Sequence, residues 1–303
     1  MPPELTKLLT YLNASVADFV PVEAKYFARL KELLVFHNII PDTQAVDRTN
    51  FSEFVKQFQS TVMNDPRPDG IPGANTLWVM QQDWAGTRGI TLVKSGIPND
   101  PFKGAPLAFV LRSDVAVFYR SFYDEIHANG GVVTSDGALR PLSDVVGPGR
   151  SATSMHYTGI AFDVNIASGM GNPAADPYII ERVGTRHWQV WNRVSAPNGD
   201  QKTLNAVVYN KNNNTISTAP LTAQVIDFSG IAKKNGLSDI GNRSCFPGQY
   251  ICAEWWHFQC EEVLVPYISQ FGAELLTVYP QAKLIANAPI WAAKQKIYKK
   301  DWN

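Results

Sequence analysis

Two short blocks, far apart in the chain, constrain what it can fold into. The first is Ser154-Met155-His156-Tyr157-Thr158-Gly159-Ile160-Ala161-Phe162-Asp163 and the second is Glu254-Trp255-Trp256-His257. From Gly159 to Asn165 the residues alternate: Gly159, Ala161 and Asp163 point one way, and Ile160, Phe162 and Val164 the other, as in a half-buried strand. His156 stands an odd number of positions from Asp163, so a flat strand would set their side chains on opposite faces. A fold that unites them needs a turn at His156 entering the strand, with Gly159 allowing the bend. Glu254 and His257 have the same parity problem, which a turn or bulge near Trp255 and Trp256 resolves. Beyond them, Phe258 to Ile268 is mostly apolar and suits either a strand or the start of a helix.

Brought together, the blocks offer two imidazoles and a carboxylate, the ligand set of an open catalytic zinc site, plus a spare carboxylate able to act as a general base. A lone His or Asp near a strand is more often a hydrogen-bonded structural group. Here the joint pattern outweighs that reading, because two of only five histidines fall inside the blocks. His37, His127 and His187 have no comparable surroundings and are expected in surface or packing roles. The three cysteines, Cys245, Cys252 and Cys260, cluster around the second block. An odd count is no disulfide framework, and a structural thiolate zinc site normally takes four ligands. Cys260 is expected as a small buried apolar group, with a Cys245–Cys252 bridge left open.

The two blocks resemble the zinc D-Ala-D-Ala carboxypeptidases and dipeptidases and their L-Ala-D-Glu endopeptidase relatives, which act on peptidoglycan stem peptides. Every specified position of Ser-x-His-x-x-Gly-x-Ala-x-Asp followed by Glu-x-x-His is matched, and the likeness extends over about residues 100 to 285. The resemblance implies His156, Asp163 and His257 as ligands of Zn2+ and Glu254 as the base. It also implies an arginine shortly upstream that approaches the scissile carbonyl. Arg140, in Val133-Thr134-Ser135-Asp136-Gly137-Ala138-Leu139-Arg140, is the candidate, and Arg150 is its competitor. A fixed guanidinium there would stabilise the developing oxyanion. Two departures stand out: the family's Ser-Gly-Tyr-Arg phrase is loosened to Ser-Asp-Gly-Ala-Leu-Arg, and the interval between the blocks is long. That interval holds an apparent insertion near 187–226, where Leu204 to Tyr209, a turn at Asn212-Asn213-Asn214 and a return over Thr215 to Thr218 read as a hairpin.

The mechanism this implies is metal-assisted hydrolysis, with Glu254 taking a proton from water and passing it to the leaving amine. Ser154 then reads as a substrate-binding group or a support for the ligands, since no separate nucleophilic Ser/His/Asp arrangement is visible.

The first hundred residues read as a different unit. A chain of this length carries a prior of about two domains, and Gly96-Ile97-Pro98-Asn99-Asp100-Pro101 is the expected junction. Apolar spacing predicts helices over Glu23 to Phe36 and near Phe51 to Val62. Asp69-Gly70-Ile71-Pro72-Gly73-Ala74-Asn75-Thr76-Leu77-Trp78, with Phe58-Gln59 upstream, resembles the three-helix peptidoglycan-binding module, with Thr76 in a position to cap the last helix. The expectation is therefore an α+β chain. Residues 1–95 are expected to form a small three-helix domain, and residues 96–303 a catalytic domain with a central antiparallel sheet flanked by helices.

Composition sets limits without choosing among enzymes. With 45% hydrophobic and 18% charged residues the chain has material for globular cores. It has 27 basic and 27 acidic side chains, so no electrostatic footprint for nucleic acid is present. Only Lys294 to Lys300 is locally basic, and it reads as a solvated helix end. No apolar run is long enough to cross a bilayer, and Met1 to Lys7 lacks the features of a signal peptide. The expectation is a wall hydrolase made in the cytoplasm that reaches the wall or periplasm by phage lysis or non-classical export, a phage endolysin among the possibilities. The partner that the resemblance implies is bacterial peptidoglycan. The activity is that of a D-Ala-D-Ala carboxypeptidase or a lytic endopeptidase, with L-Ala-D-Glu endopeptidase as the alternative bond. The rival class is a non-catalytic wall-binding or phage-particle protein with a structural zinc.

Overall fold

The computed structural model describes residues 1–95, 109–147 and 150–299. Its N-terminal part is helical: α1 (Pro3–Leu12), α2 (Val16–Phe19), α3 (Glu23–Phe36), α4 (Phe51–Thr61) and α5 (Ala74–Trp84). The two helices expected from apolar spacing are α3 and α4. Helix α3 buries Tyr26, Phe27, Leu30, Leu33 and Leu34, and α4 buries Phe51, Val55 and Phe58, the i, i+4, i+7 stripe of an amphipathic helix.

Gln59 is the knot of this unit. Its amide nitrogen donates to Asp69 Oδ1 (2.8 Å), to the Ile71 carbonyl (3.2 Å) and to Thr76 Oγ1 (3.3 Å), while its Oε1 accepts from the Gly70 N–H (2.9 Å). Gly70 has φ +75°, and a Cβ there would lie 2.2 Å from Ser52 Oγ. Thr76 is therefore not the cap: Gly73 precedes the first turn of α5, and Thr76 faces Gln59 from inside that turn.

The second unit, Thr91–Val263, carries the sheets. Strands β1 (Leu92–Ser95) and β2 (Phe109–Arg112) pair antiparallel, and α6 (Ser113–Ala128) follows. Strand β3 (Ala161–Asp163) comes next. Strands β4 (Tyr178–Val183), β5 (His187–Arg193), β6 (Asp200–Asn210) and β7 (Thr215–Asp227) form a four-stranded sheet in the order β4-β5-β7-β6. The expected hairpin is β6–β7, paired from Asp200↔Val225 to Asn210↔Thr215, longer than its apolar segments suggested. After α7 (Phe228–Lys234) come β8 (Ser238–Asp239) and β9 (His257–Gln259), which join β3 in a second sheet ordered β3-β9-β8. Among the described residues the antiparallel pairing expected of this unit is thus spread over three small sheets. Its core is aromatic: Phe162 packs against Phe109, Tyr119, Phe122 and Phe258 with centroids 5.2, 5.2, 5.9 and 5.8 Å away.

The chain does not divide at 95/96 into two consecutive domains. From Leu264 onward the described residues, including α8 (Phe271–Leu276), α9 (Gln281–Ile285) and α10 (Ala288–Trp291), belong with Met1–Ile90. The buried Gln81 side chain donates to the Ile268 carbonyl at 3.0 Å, and Arg88 bonds the buried Glu274 carboxylate at 3.2 Å. Nor is the basic tail a solvated helix end. Lys294 lies over the Trp78 and Trp291 rings, Tyr298 is buried, and Lys299 bonds the Leu12 carbonyl at 3.1 Å. The expected junction at Gly96 to Pro101 lies outside the described residues. Among the described residues no helix is long and apolar enough to cross a membrane.

Candidate metal centre

The turn expected at His156 is a 3-10 helix, Met155–Thr158. Ser154 opens it, its Oγ accepting from the His156 N–H at 3.4 Å. Gly159 closes it at φ +72°, a left-handed conformation that glycine adopts without steric cost. The chain then enters β3, with Phe162 turned into the aromatic core and Asp163 on the other face.

The second block supplies the matching turn. Glu254 sits at φ +56° and its carbonyl accepts from the His257 N–H at 3.1 Å, so Glu254 to His257 is a tight turn with Trp255 and Trp256 buried at its tip. His257 then opens β9, whose register sets Asp163↔His257 and Ala161↔Gln259 as direct partners. Asp163, His257 and Gln259 share one face, while Phe258 stacks on Phe162 beneath it. On the other edge of β3, Gly137 pairs with Asp163 and brings in the segment from Ser135 to Arg140.

Three acceptors converge on this face. His156 Nε2 lies 3.1 Å from Asp163 Oδ2, His257 Nδ1 lies 3.1 Å from Asp163 Oδ1, and the two ring nitrogens are 3.1 Å apart. The outer nitrogens are tied back: His156 Nδ1 meets the Ala138 carbonyl at 2.6 Å, and His257 Nε2 meets Gln259 Oε1 at 3.3 Å. Both partners accept, so the outer nitrogens carry the protons and the inner ones present lone pairs to each other and to a carboxylate. Three lone-pair donors at this separation repel unless a cation or a proton lies among them. Three ligands about 2.0–2.1 Å from a tetrahedral ion stand ~3.3 Å apart, close to the spacing here. The residues fit a metal.

Without an ion, a proton shared among these groups takes its place. Burial works against the charged form of Asp163, but the His156 and His257 imidazoles outweigh it and hold the carboxyl well below the usual range. Burial likewise opposes the charged form of His257, but its hydrogen bond to Asp163, the negative charges of Asp163 and Glu254 and the Gln259 hydrogen bond together outweigh it and raise the imidazole. Of the three side chains Asp163 is the most accessible, at 20%, against 5% for His156 and 7% for His257.

Glu254 is outside the donor cluster and is bonded by Arg243, Nη2 to Oε1 at 2.6 Å. Arg140 is held beside the site by its backbone, which donates to the His156 carbonyl at 3.1 Å, and its guanidinium lies 5.4 Å over the Tyr157 ring. Arg150 instead reaches Asp144 at 3.5 Å and is half exposed. Cys245 and Cys252 form a disulfide, and Cys260 is buried as expected, with burial pushing its thiol up to about 12. Of the other histidines, His37 bonds the Met80 carbonyl, His127 packs on Tyr123 and His187 meets Asp239 at the surface.

Sequence reasoning missed three supports. Gln259 was detectable, since it stands two positions from His257 on the same strand face. The Ala138 carbonyl and the Arg243 guanidinium left no signal. No family model, curated protein or solved structure matches this chain.

Proposed function

We propose that this chain is a zinc-dependent peptidase that hydrolyses peptidoglycan stem-peptide bonds involving D-amino acids, with His156, Asp163 and His257 holding the ion and Glu254 moving the proton. The reading is carried by the convergence of three acceptors, each 3.1 Å from the others, with both outer imidazole nitrogens bound to acceptors. A zinc ion held by these three residues would supply Lewis acidity, lowering the pKa of water toward about 7 and polarising an amide carbonyl.

The remaining steps belong to the chain's own residues. Glu254, three positions before His257 but not among the donors, takes the proton from the attacking water and delivers it to the leaving amine. Arg140, anchored through its backbone to His156, is the group that steadies the oxyanion. Ser154 acts through its hold on the His156 backbone rather than as a nucleophile. The partial exposure of Asp163 supports approach of substrate from that side. The substrate class rests on the motif resemblance, and the helical unit built around Gln59 is proposed to concentrate the enzyme on the wall.

The test is mass spectrometry of defined stem peptides and purified peptidoglycan after incubation with zinc-loaded or chelator-treated protein. Free D-Ala identifies a carboxypeptidase; separation of L-Ala from D-Glu, or a cut cross-link, identifies a lytic endopeptidase acting at the wall or periplasm. No product in either metal state rejects the enzyme in favour of a wall-binding or particle protein. Glu254→Gln should lower hydrolysis by about 10²–10⁴-fold while zinc still binds; undiminished turnover would remove Glu254 from the mechanism.

A further inference from the structure

We infer that Arg243 is a positioning residue that fixes the Glu254 carboxylate for proton transfer, presented by a loop that the Cys245–Cys252 disulfide and the β6–β7 hairpin hold in place. The consequence for catalysis rests on the hydrolase reading; the geometry does not.

Glu254 occupies a left-handed backbone conformation that a residue with a side chain adopts only when its surroundings impose it. Those surroundings are visible. Trp188 Nε1 donates to the Ala253 carbonyl at 2.6 Å, and the Glu254 carbonyl is taken by the His257 N–H. The side chain is held by charge: Arg243 Nη2 lies 2.6 Å from Glu254 Oε1, a short charge-assisted bond. The same nitrogen donates to the Ile251 carbonyl at 2.8 Å, and the Arg243 N–H donates to the Cys252 carbonyl at 2.9 Å. The guanidinium is thus bound to the loop that carries its partner, and the disulfide closes that loop.

The β6–β7 hairpin supplies the outer support. Tyr209 of β6 donates to the Pro247 carbonyl at 3.0 Å and stacks on Phe246, which also packs edge-on against Trp188. The need for restraint is physical. A glutamate beside a cation site has three rotatable side-chain bonds and is drawn toward the ion, where it would become a ligand and lose its use as a base. A guanidinium on one carboxylate oxygen opposes that collapse.

The experiment uses the full chain loaded with zinc and a defined stem peptide. Arg243→Ala and Arg243→Lys are made alone and with Glu254→Gln, and kcat, KM, zinc stoichiometry and unfolding midpoint are measured. Arg243→Ala should lower kcat on the order of 100-fold with KM and zinc content little changed. Arg243→Lys should retain part of the rate, and added guanidinium should restore part of it to Arg243→Ala. In the Glu254→Gln background the Arg243 substitution should cause no further loss, and unfolding midpoints should show coupling between positions 243 and 254. An unchanged or increased kcat in Arg243→Ala overturns the inference, as does an equal loss in both backgrounds, the mark of a merely structural role. Absence of hydrolysis by the wild type defeats the enzyme reading together with this role; wild-type hydrolysis with full activity in Arg243→Ala defeats the role alone.

Discussion

Replacing Gly159 with Ala tests the joint between His156 and Asp163. Gly159 ends the 3-10 helix at φ +72°, and a left-handed residue other than glycine costs roughly 1–2 kcal/mol. A Cβ built there lies 2.9 Å from Leu92 Cδ2, a side-chain end that can yield, and 3.2 Å from the Arg112 backbone nitrogen, which cannot yield freely. That nitrogen bonds the Gly159 carbonyl at 2.9 Å, and loosening the bond adds about 1 kcal/mol. The total, ~2–3 kcal/mol, corresponds to a fall of about 4–12 °C in Tm for a unit of this size. Because the same joint sets the spacing of two donors, zinc affinity should fall with it. The assays are thermal unfolding of the metal-free protein by circular dichroism and competition for zinc with a chromophoric chelator. Gly159→Asn, whose side chain tolerates the left-handed region better, should lose less. An alanine variant that melts with the wild type and binds zinc equally would refute the reasoning.

Three further outcomes follow from the same geometry. Gln259→Leu removes the acceptor for His257 Nε2 and should weaken zinc binding about 10–100-fold, read by the same chelator competition; unchanged affinity means Gln259 does not orient the ring. In the metal-free protein the depressed Asp163 carboxyl contributes stability above its unfolded pKa of about 3.9, lost as pH falls through the folded value, and the raised His257 contributes stability below about 6.5, lost as pH rises through its folded value. Metal-free stability from this pair should therefore peak between those limits, whereas zinc competes with protons, so the Tm gap between loaded and metal-free protein should widen from pH 5.5 to 8; a constant gap counts against the ligand set. Gln59→Leu strands the Gly70 N–H and its partners, at about 1–3 kcal/mol per unsatisfied buried group, and should lower the first unit's unfolding midpoint without altering zinc affinity.

The sequence by itself determined the local pieces of this protein. Alternation around Ala161 and Phe162 placed Asp163 opposite the core, and parity demanded turns at His156 and before His257. Helical spacing located α3 and α4, and a turn among asparagines marked the β6–β7 hairpin. Each depends on neighbours within a few residues, where backbone geometry ties residue order to direction in space.

Tertiary structure alone decided what depends on distant partners. The register of β3 against β9 makes Asp163 and His257 direct neighbours, and the Ala138 carbonyl sets the His156 tautomer from an unrelated segment. Arg243 reaches Glu254 only because the chain folds back around a disulfide. The C-terminal residues leave the second unit to pack with the N-terminal helices, because buried groups such as the Gln81 amide nitrogen and the Glu274 carboxylate find their partners 187 and 186 positions away. Hydrogen-bond partners so remote leave no periodicity to read, since a backbone carbonyl or a lone guanidinium looks the same in sequence whether it is solvated or essential.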